Sequence, residues 1–139
     1  MLGIFFSALL ADPAVCPTGT DKIGLSNCYG FIPLIGKDSC AAYVDIQNPT
    51  NTDDKIINVS SPDFEKIEVH THENGKMVLE RNLTVPANGA YTMQRGGRHI
   101  MLFGAKKQRE ELKEIQMNFT FENAGEVQVK YVPSAMQEG

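Results

Sequence analysis

The run Lys66-Ile67-Glu68-Val69-His70-Thr71-His72-Glu73-Asn74-Gly75-Lys76-Met77 decides the fold. Its first half alternates: Ile67 and Val69 fall on one face, Glu68 and His70 on the other. That is the period of a half-buried strand. Asn74-Gly75 then supplies the strongest short hairpin signal, because both residues tolerate positive φ. Residues 77–83 return as the partner strand. The middle of the chain is therefore an antiparallel hairpin, and the rest is read outward from it.

Upstream, residues 41–47 (Ala-Ala-Tyr-Val-Asp-Ile-Gln) are rich in β-branched and aromatic residues and stop at Asn48-Pro49-Thr50-Asn51, a turn signal. Residues 55–60 form a second candidate strand with Ile56, Ile57 and Val59. Downstream, Pro86-Ala87-Asn88-Gly89 predicts a turn before a strand over 90–94. Residues 98–103 follow as a strand. Residues 115–122 alternate, with Ile115, Met117, Phe119 and Phe121 on one side, and 126–132 close the set after Gly125. Residues 110–114 are the one helix-like piece. Roughly seven to nine short strands at this spacing predict an all-β, two-sheet β-sandwich.

At 139 residues the chain can bury a real core as one domain. The net charge of −4 argues against nucleic acid, because no basic block exists to neutralise phosphates. Lys106-Lys107-Gln108-Arg109 is the densest basic cluster, and acids follow it at once, as on a solvated loop. Residues 2–11 are apolar but too few to span a bilayer, and read as a remnant export signal lacking the usual basic start, with an N-terminal strand as the alternative. No other stretch is long enough to cross, so the mature domain is expected to be soluble and exported. The expected division is an N-terminal extension over 1–24, the sandwich over 25–133 and a short tail over 134–139.

Three cysteines suit an exported chain: one disulfide and one leftover thiol. Cys28 and Cys40 bracket the turn-rich Gly30, Pro33 and Gly36, so their pairing is expected. Closing that loop would stabilise the domain by roughly 3 kcal/mol in the chain-entropy model. Cys16 has no lipobox-like Leu three residues before it, which argues against a lipid anchor there.

The chemistry lies in His and Met. His99 and Met101 stand two residues apart on one predicted strand, so they share a face. His70 and Met77 flank the hairpin turn. Two imidazoles and two thioethers make a soft donor set, which favours Cu(I) over zinc or hard cations. His72, on the face of His70, could replace or supplement it. Met93 and Met117 are assigned to the core, as Met often fills gaps. A blue-copper site needs a cysteine with two histidines, and no cysteine follows Cys40. Ser60-Ser61 and Asp63 read as turn residues, and no nucleophile–base pair or carboxylate dyad points to an enzyme. The remaining alternatives are a plain interaction sandwich with incidental His and Met, or a periplasmic copper-storage or buffering protein without a dedicated acceptor.

Several linked motifs over about residues 27–132 resemble those of the PCuAC family of periplasmic copper chaperones. Met77 precedes His99-Ile100-Met101 by the family's twenty-one intervening residues. Leu83-Thr84-Val85-Pro86-Ala87-Asn88-Gly89 resembles the family's turn, and Gly97-Arg98-His99-Ile100-Met101-Leu102-Phe103-Gly104 its His-x-Met strand. Ile67-Glu68-Val69-His70 is similar to the upstream His strand, but only six residues separate His70 from Met77 where the family has ten. A hairpin shortened by an even number keeps both side chains on one face. The resemblance implies a cupredoxin-like, Greek-key fold and a copper site of His70, Met77, His99 and Met101, with His72 as a further candidate. It also implies a periplasmic, monomeric chaperone. Its acceptor would be the CuA centre of cytochrome c oxidase subunit II, often together with a thiol-containing copper chaperone. The His/Met-rich tail of some relatives is missing: only Met136 remains there.

Overall fold

The computed structural model describes residues 14–32 and 39–135. The apolar stretch 2–11, the turn residues Pro33 and Gly36, and Met136 lie outside them. The described chain forms thirteen strands, eight of them four residues or longer. In order they are β1 (Ala14–Val15), β2 (Thr18–Gly19), β3 (Gly24–Ile32), β4 (Ser39–Asn48), β5 (Asp54–Ser60), β6 (Phe64–Glu73) and β7 (Lys76–Leu79). There follow β8 (Thr84–Val85), β9 (Gly89–Tyr91), β10 (His99–Ala105), β11 (Ile115–Phe121), β12 (Gly125–Tyr131) and β13 (Ser134–Ala135).

Two sheets result. One runs β1-β12-β11-β5-β8, the other β13-β3-β4-β10-β6-β7, with β2 on β3 and β9 on β4. This is the expected all-β sandwich. Its core follows from alternation. Strand β11 buries Ile115, Met117, Phe119 and Phe121 and leaves the residues between them half-exposed. From the other sheet, Ile100 and Leu102 of β10 meet them with Ala42, Val44 and Ile46 of β4 and Val69 of β6. Each fully buried aliphatic or aromatic side chain contributes about 1.5–3 kcal/mol of transfer free energy. Met93 and Met117 are both buried, as assigned.

The hairpin forms as read: Glu73 pairs with Lys76, and Asn74 and Gly75 take φ of 55° and 78°. Asn88 has φ 53° in the predicted turn, whose Gly89 amide donates to the Pro86 carbonyl at 3.0 Å. A 3-10 turn at Arg109–Glu111 stands where one helical turn was expected. Among the described residues no helix is long and apolar enough to cross a membrane.

Four readings are corrected. Strand β3, nine residues long, was missed, because Gly24, Gly30 and a bulge at Asn27 (φ 52°) break its alternation. Strand β7 stops at Leu79 and does not reach residue 83. Past it, the Glu80 carboxylate accepts from the Asn82 amide at 3.0 Å and the Asn82 side chain accepts from Thr84 at 3.2 Å. These bonds bend the chain across to the other sheet, where Thr84 pairs with Lys55.

The disulfide joins Cys16 to Cys28, not Cys28 to Cys40. Register explains it. Gly30 pairs with Ala42, which sets Cys40 opposite Ile32, four residues beyond Cys28, or about 13 Å along the strand. The Cys16 and Cys28 Cα atoms are 6.1 Å apart, within disulfide reach. Cys40 is a free thiol on the core face, and burial pushes its pKa up to about 12. Residues 14–19, read as part of an extension, pair with both sheets, and Ser134–Ala135 of the tail pair with β3.

Candidate metal centre

Strand β10 has two faces with different tasks. Ile100 and Leu102 point into the core; His99 and Met101 point outward from the second sheet. Registry with β6 and β7 then gathers the remaining candidates. His99 lies directly across from His70, Met101 from Glu68, and His72 from Met77. All five sequence-predicted residues therefore stand on one face of three adjacent strands.

His99 is the centre. Its ring centroid lies 5.9 Å from that of His70, 5.6 Å from His72 and 6.3 Å from Tyr43. Tyr43 stacks in turn on Tyr29 at 4.6 Å, which builds an aromatic wall on the β3–β4 side. Although it is on an outer face, His99 is only 5% exposed. Its Nε2 sits 2.9 Å from the Met77 sulfur, and its Nδ1 sits 2.9 Å from the Gly97 carbonyl oxygen. A carbonyl only accepts, so Nδ1 carries the proton in the neutral ring. The Nε2 lone pair consequently faces the thioether. Two unprotonated donors pointing at each other gain nothing from one another, but both suit a soft cation. Met77 is 49% exposed, so this donor pair is open to the surface.

His70 presents a second free lone pair. Its Nε2 donates to Glu68 Oε1 at 2.9 Å, and its Nδ1 is buried with no hydrogen-bond partner among the described residues. The hydrogen bond from His70 is the main reason Glu68 is held below the ordinary carboxylate range. Met101 is half-buried in the next row of the same face. Among the described residues no three His, Cys, Asp or Glu side chains converge tightly enough to hold an ion by themselves. Thioethers beside these imidazoles would make any donor set on this face a soft one.

Two features of the site escaped the sequence reading. One is Glu68. The other is Arg98, whose Nε donates to Glu80 at 2.7 Å while its guanidinium lies 4.1 Å above the Tyr91 ring. That pair ties the start of β10 to the chain leaving β7, and so holds His99 beside Met77. A tight loop sets the angle of approach: Gly96 has φ 84°, and the Gly97 amide donates to Gln94 at 2.9 Å.

Burial is the largest influence on His99 and holds its imidazole below the usual range; nearby His70 and His72 act the same way, against the Gly97 carbonyl. Stability follows with a definite sign. Above about pH 6.5 neither the folded nor the unfolded His99 is protonated. As the pH falls below that, the unfolded chain takes up its proton first, so stability is lost until the folded His99 titrates too. The urea midpoint of the metal-free protein is expected to fall between pH 7.5 and 5.5, and His99→Gln should flatten that slope. An equal slope in the variant would assign the loss to other groups.

Comparison with known proteins agrees with this architecture. The copper-bound PCuAC domain from PmoF2 is 26% identical, with a TM-score of 0.72 over 86% of this chain and 97% of that one. The apo PCuAC domain from PmoF1 is also 26% identical, with a TM-score of 0.74 over 86% and 98%. The Cu(I) form of DR1885 from Deinococcus radiodurans, 20% identical, shares the fold with a TM-score of 0.64 over 96% and 86%. No curated protein matches in sequence. The fold is thus that of the PCuAC domains, a cupredoxin-like β-sandwich. The chain belongs to the LpqE-like family, described as "Putative lipoprotein LpqE-like", whose profile matches residues 23–133.

Proposed function

We propose that this protein is a periplasmic Cu(I) metallochaperone. Its cargo is held by His99, Met77, His70 and Met101, with His72 at the rim. One observation carries the reading: the His99 Nε2 lone pair and the Met77 sulfur face each other at 2.9 Å. The similarity to a copper-bound PCuAC domain supports it, as does membership of a family described as lipoproteins, which favours export.

Thioethers and neutral imidazoles, without a thiolate, bind Cu(I) yet allow it to leave. The half-exposed Met77 gives an acceptor's ligands a place to enter, so stepwise exchange is favoured over a sealed storage site. The proposed acceptor is the CuA centre of cytochrome c oxidase subunit II, reached directly or through a thiol-containing copper chaperone. The protein would act as a monomer and carry its cargo without transforming it.

Anaerobic titration against a chromogenic Cu(I) chelator is expected to show tight one-to-one binding. Mixing the loaded protein with the soluble copper domain of subunit II, followed by separation, should then leave copper in the acceptor fraction. No binding would end the copper reading. Binding without transfer would end the proposed delivery step and favour buffering.

A further inference from the structure

The outer face carries a chain of contacts that reaches the centre from the side away from Met77. Lys66 Nζ lies 4.8 Å above the Phe103 ring, and that ring lies 6.3 Å from the His70 ring. The same Nζ is 3.9 Å from Glu68 Oε2, while Glu68 Oε1 accepts from His70 Nε2 at 2.9 Å. Strand pairing fixes the order, because Lys66 is across from Phe103, Glu68 from Met101 and His70 from His99.

We propose that Glu68 is the positioning residue that makes His70, through Nδ1, the upstream imidazole of the site. The inference rests on the copper reading above. A neutral imidazole has one proton and two nitrogens. The carboxylate, which only accepts, places that proton on Nε2. The lone pair is left on Nδ1, the atom that is buried without a partner among the described residues. Outer-shell carboxylates fix the tautomer and ring orientation of ligating histidines in this way, and raise their basicity. His99 is set in the opposite sense, since the Gly97 carbonyl holds its Nδ1 proton and frees Nε2. The two rings, paired across strands, thus present different nitrogens. His72 is exposed and sits at the turn end of the sheet, opposite Met77. The contrast between a braced, half-buried ring and an exposed one selects His70 over His72.

The test uses the whole chain with labelled histidine. Two-bond nitrogen–proton NMR spectra of the metal-free protein report the tautomer of each ring without copper. Cu(I) affinity is then measured for wild type, Glu68→Gln, Glu68→Ala, His70→Ala and His72→Ala. His70 is expected as the Nε2–H form in wild type and in Glu68→Gln, whose amide oxygen still accepts. In Glu68→Ala it should become a mixture of tautomers, and Cu(I) affinity should fall about 10–100-fold, the usual cost of losing an outer-shell partner. Glu68→Gln should recover most of that loss, and His72→Ala should weaken binding less than His70→Ala.

A His70 tautomer indifferent to Glu68, in a protein that binds Cu(I), overturns this inference alone. So does a Glu68→Gln variant that keeps the tautomer but loses as much affinity as Glu68→Ala, since Glu68 would then act as a ligand or by its charge. A wild type with the expected tautomers and no Cu(I) binding overturns the proposed function instead.

Discussion

Met77→Ala combined with Met101→Ala will abolish stoichiometric Cu(I) binding and leave the sandwich folded. Both side chains lie on the outer face of the second sheet, and neither belongs to the buried core. Met77 is half-exposed on the edge strand β7, so truncation opens no enclosed cavity. The fold should therefore survive with little change in its urea midpoint. The metal site should not. It would keep three imidazoles and lose both soft donors, and imidazoles alone suit zinc or Cu(II) as well as Cu(I). The loss in Cu(I) affinity should exceed the roughly 10–100-fold cost of removing an outer-shell partner, because two proposed ligands of the metal itself would be gone. Competition against a chromogenic chelator measures it. Undiminished affinity would show that the sulfurs are incidental and that the His99–Met77 approach has no role in binding.

Much of this site was legible because β-structure converts sequence parity into geometry. His99 and Met101 share a face by their spacing alone. The Asn74-Gly75 turn fixes the register of the hairpin, and that register puts His72 opposite Met77. The pairing of His99 with His70 was not legible in the same way, because it joins strands separated by three other strands in sequence. Parity says which face a residue takes, but not which residue lies across from it on a distant strand.

Glu68 shows the same limit. Its place on the face of His70 was evident, yet an acid alternating with apolar residues also describes any solvated strand. Only the observed contact with His70 separates the two. The disulfide failed for a related reason. Loop length favoured Cys28 with Cys40, but cross-linking depends on register, and a four-residue offset between neighbouring strands prevents it. Strand β3 was hidden by its own irregularity. Its glycines and the positive φ of Asn27 permit the bulge while erasing the alternation that marks the other strands.

Leu102→Ala should do the reverse of the methionine variant. Leu102 lies between Met101 and Phe103 on β10, but it points the other way and is fully buried. It pairs laterally with Cys40 on β4 and Ile67 on β6, so both neighbours hold the space around it in place. The central position of β10 in its sheet limits how far the surroundings can collapse. Removing the side chain should cost about 2–5 kcal/mol, the range for such truncations when a cavity remains. That is a large share of the roughly 5–15 kcal/mol that holds a domain together. Urea unfolding should show it as a lower midpoint with an unchanged slope. Cu(I) affinity of the molecules that remain folded should stay within a few-fold of wild type, because the donors sit on the opposite face. Added Cu(I) should restore part of the lost midpoint, since a ligand that binds only the folded state stabilises it by mass action. If Leu102→Ala weakened copper binding as strongly as loss of the methionines, the two faces of β10 would be coupled, and a rigid sheet presenting independent ligands would be the wrong description.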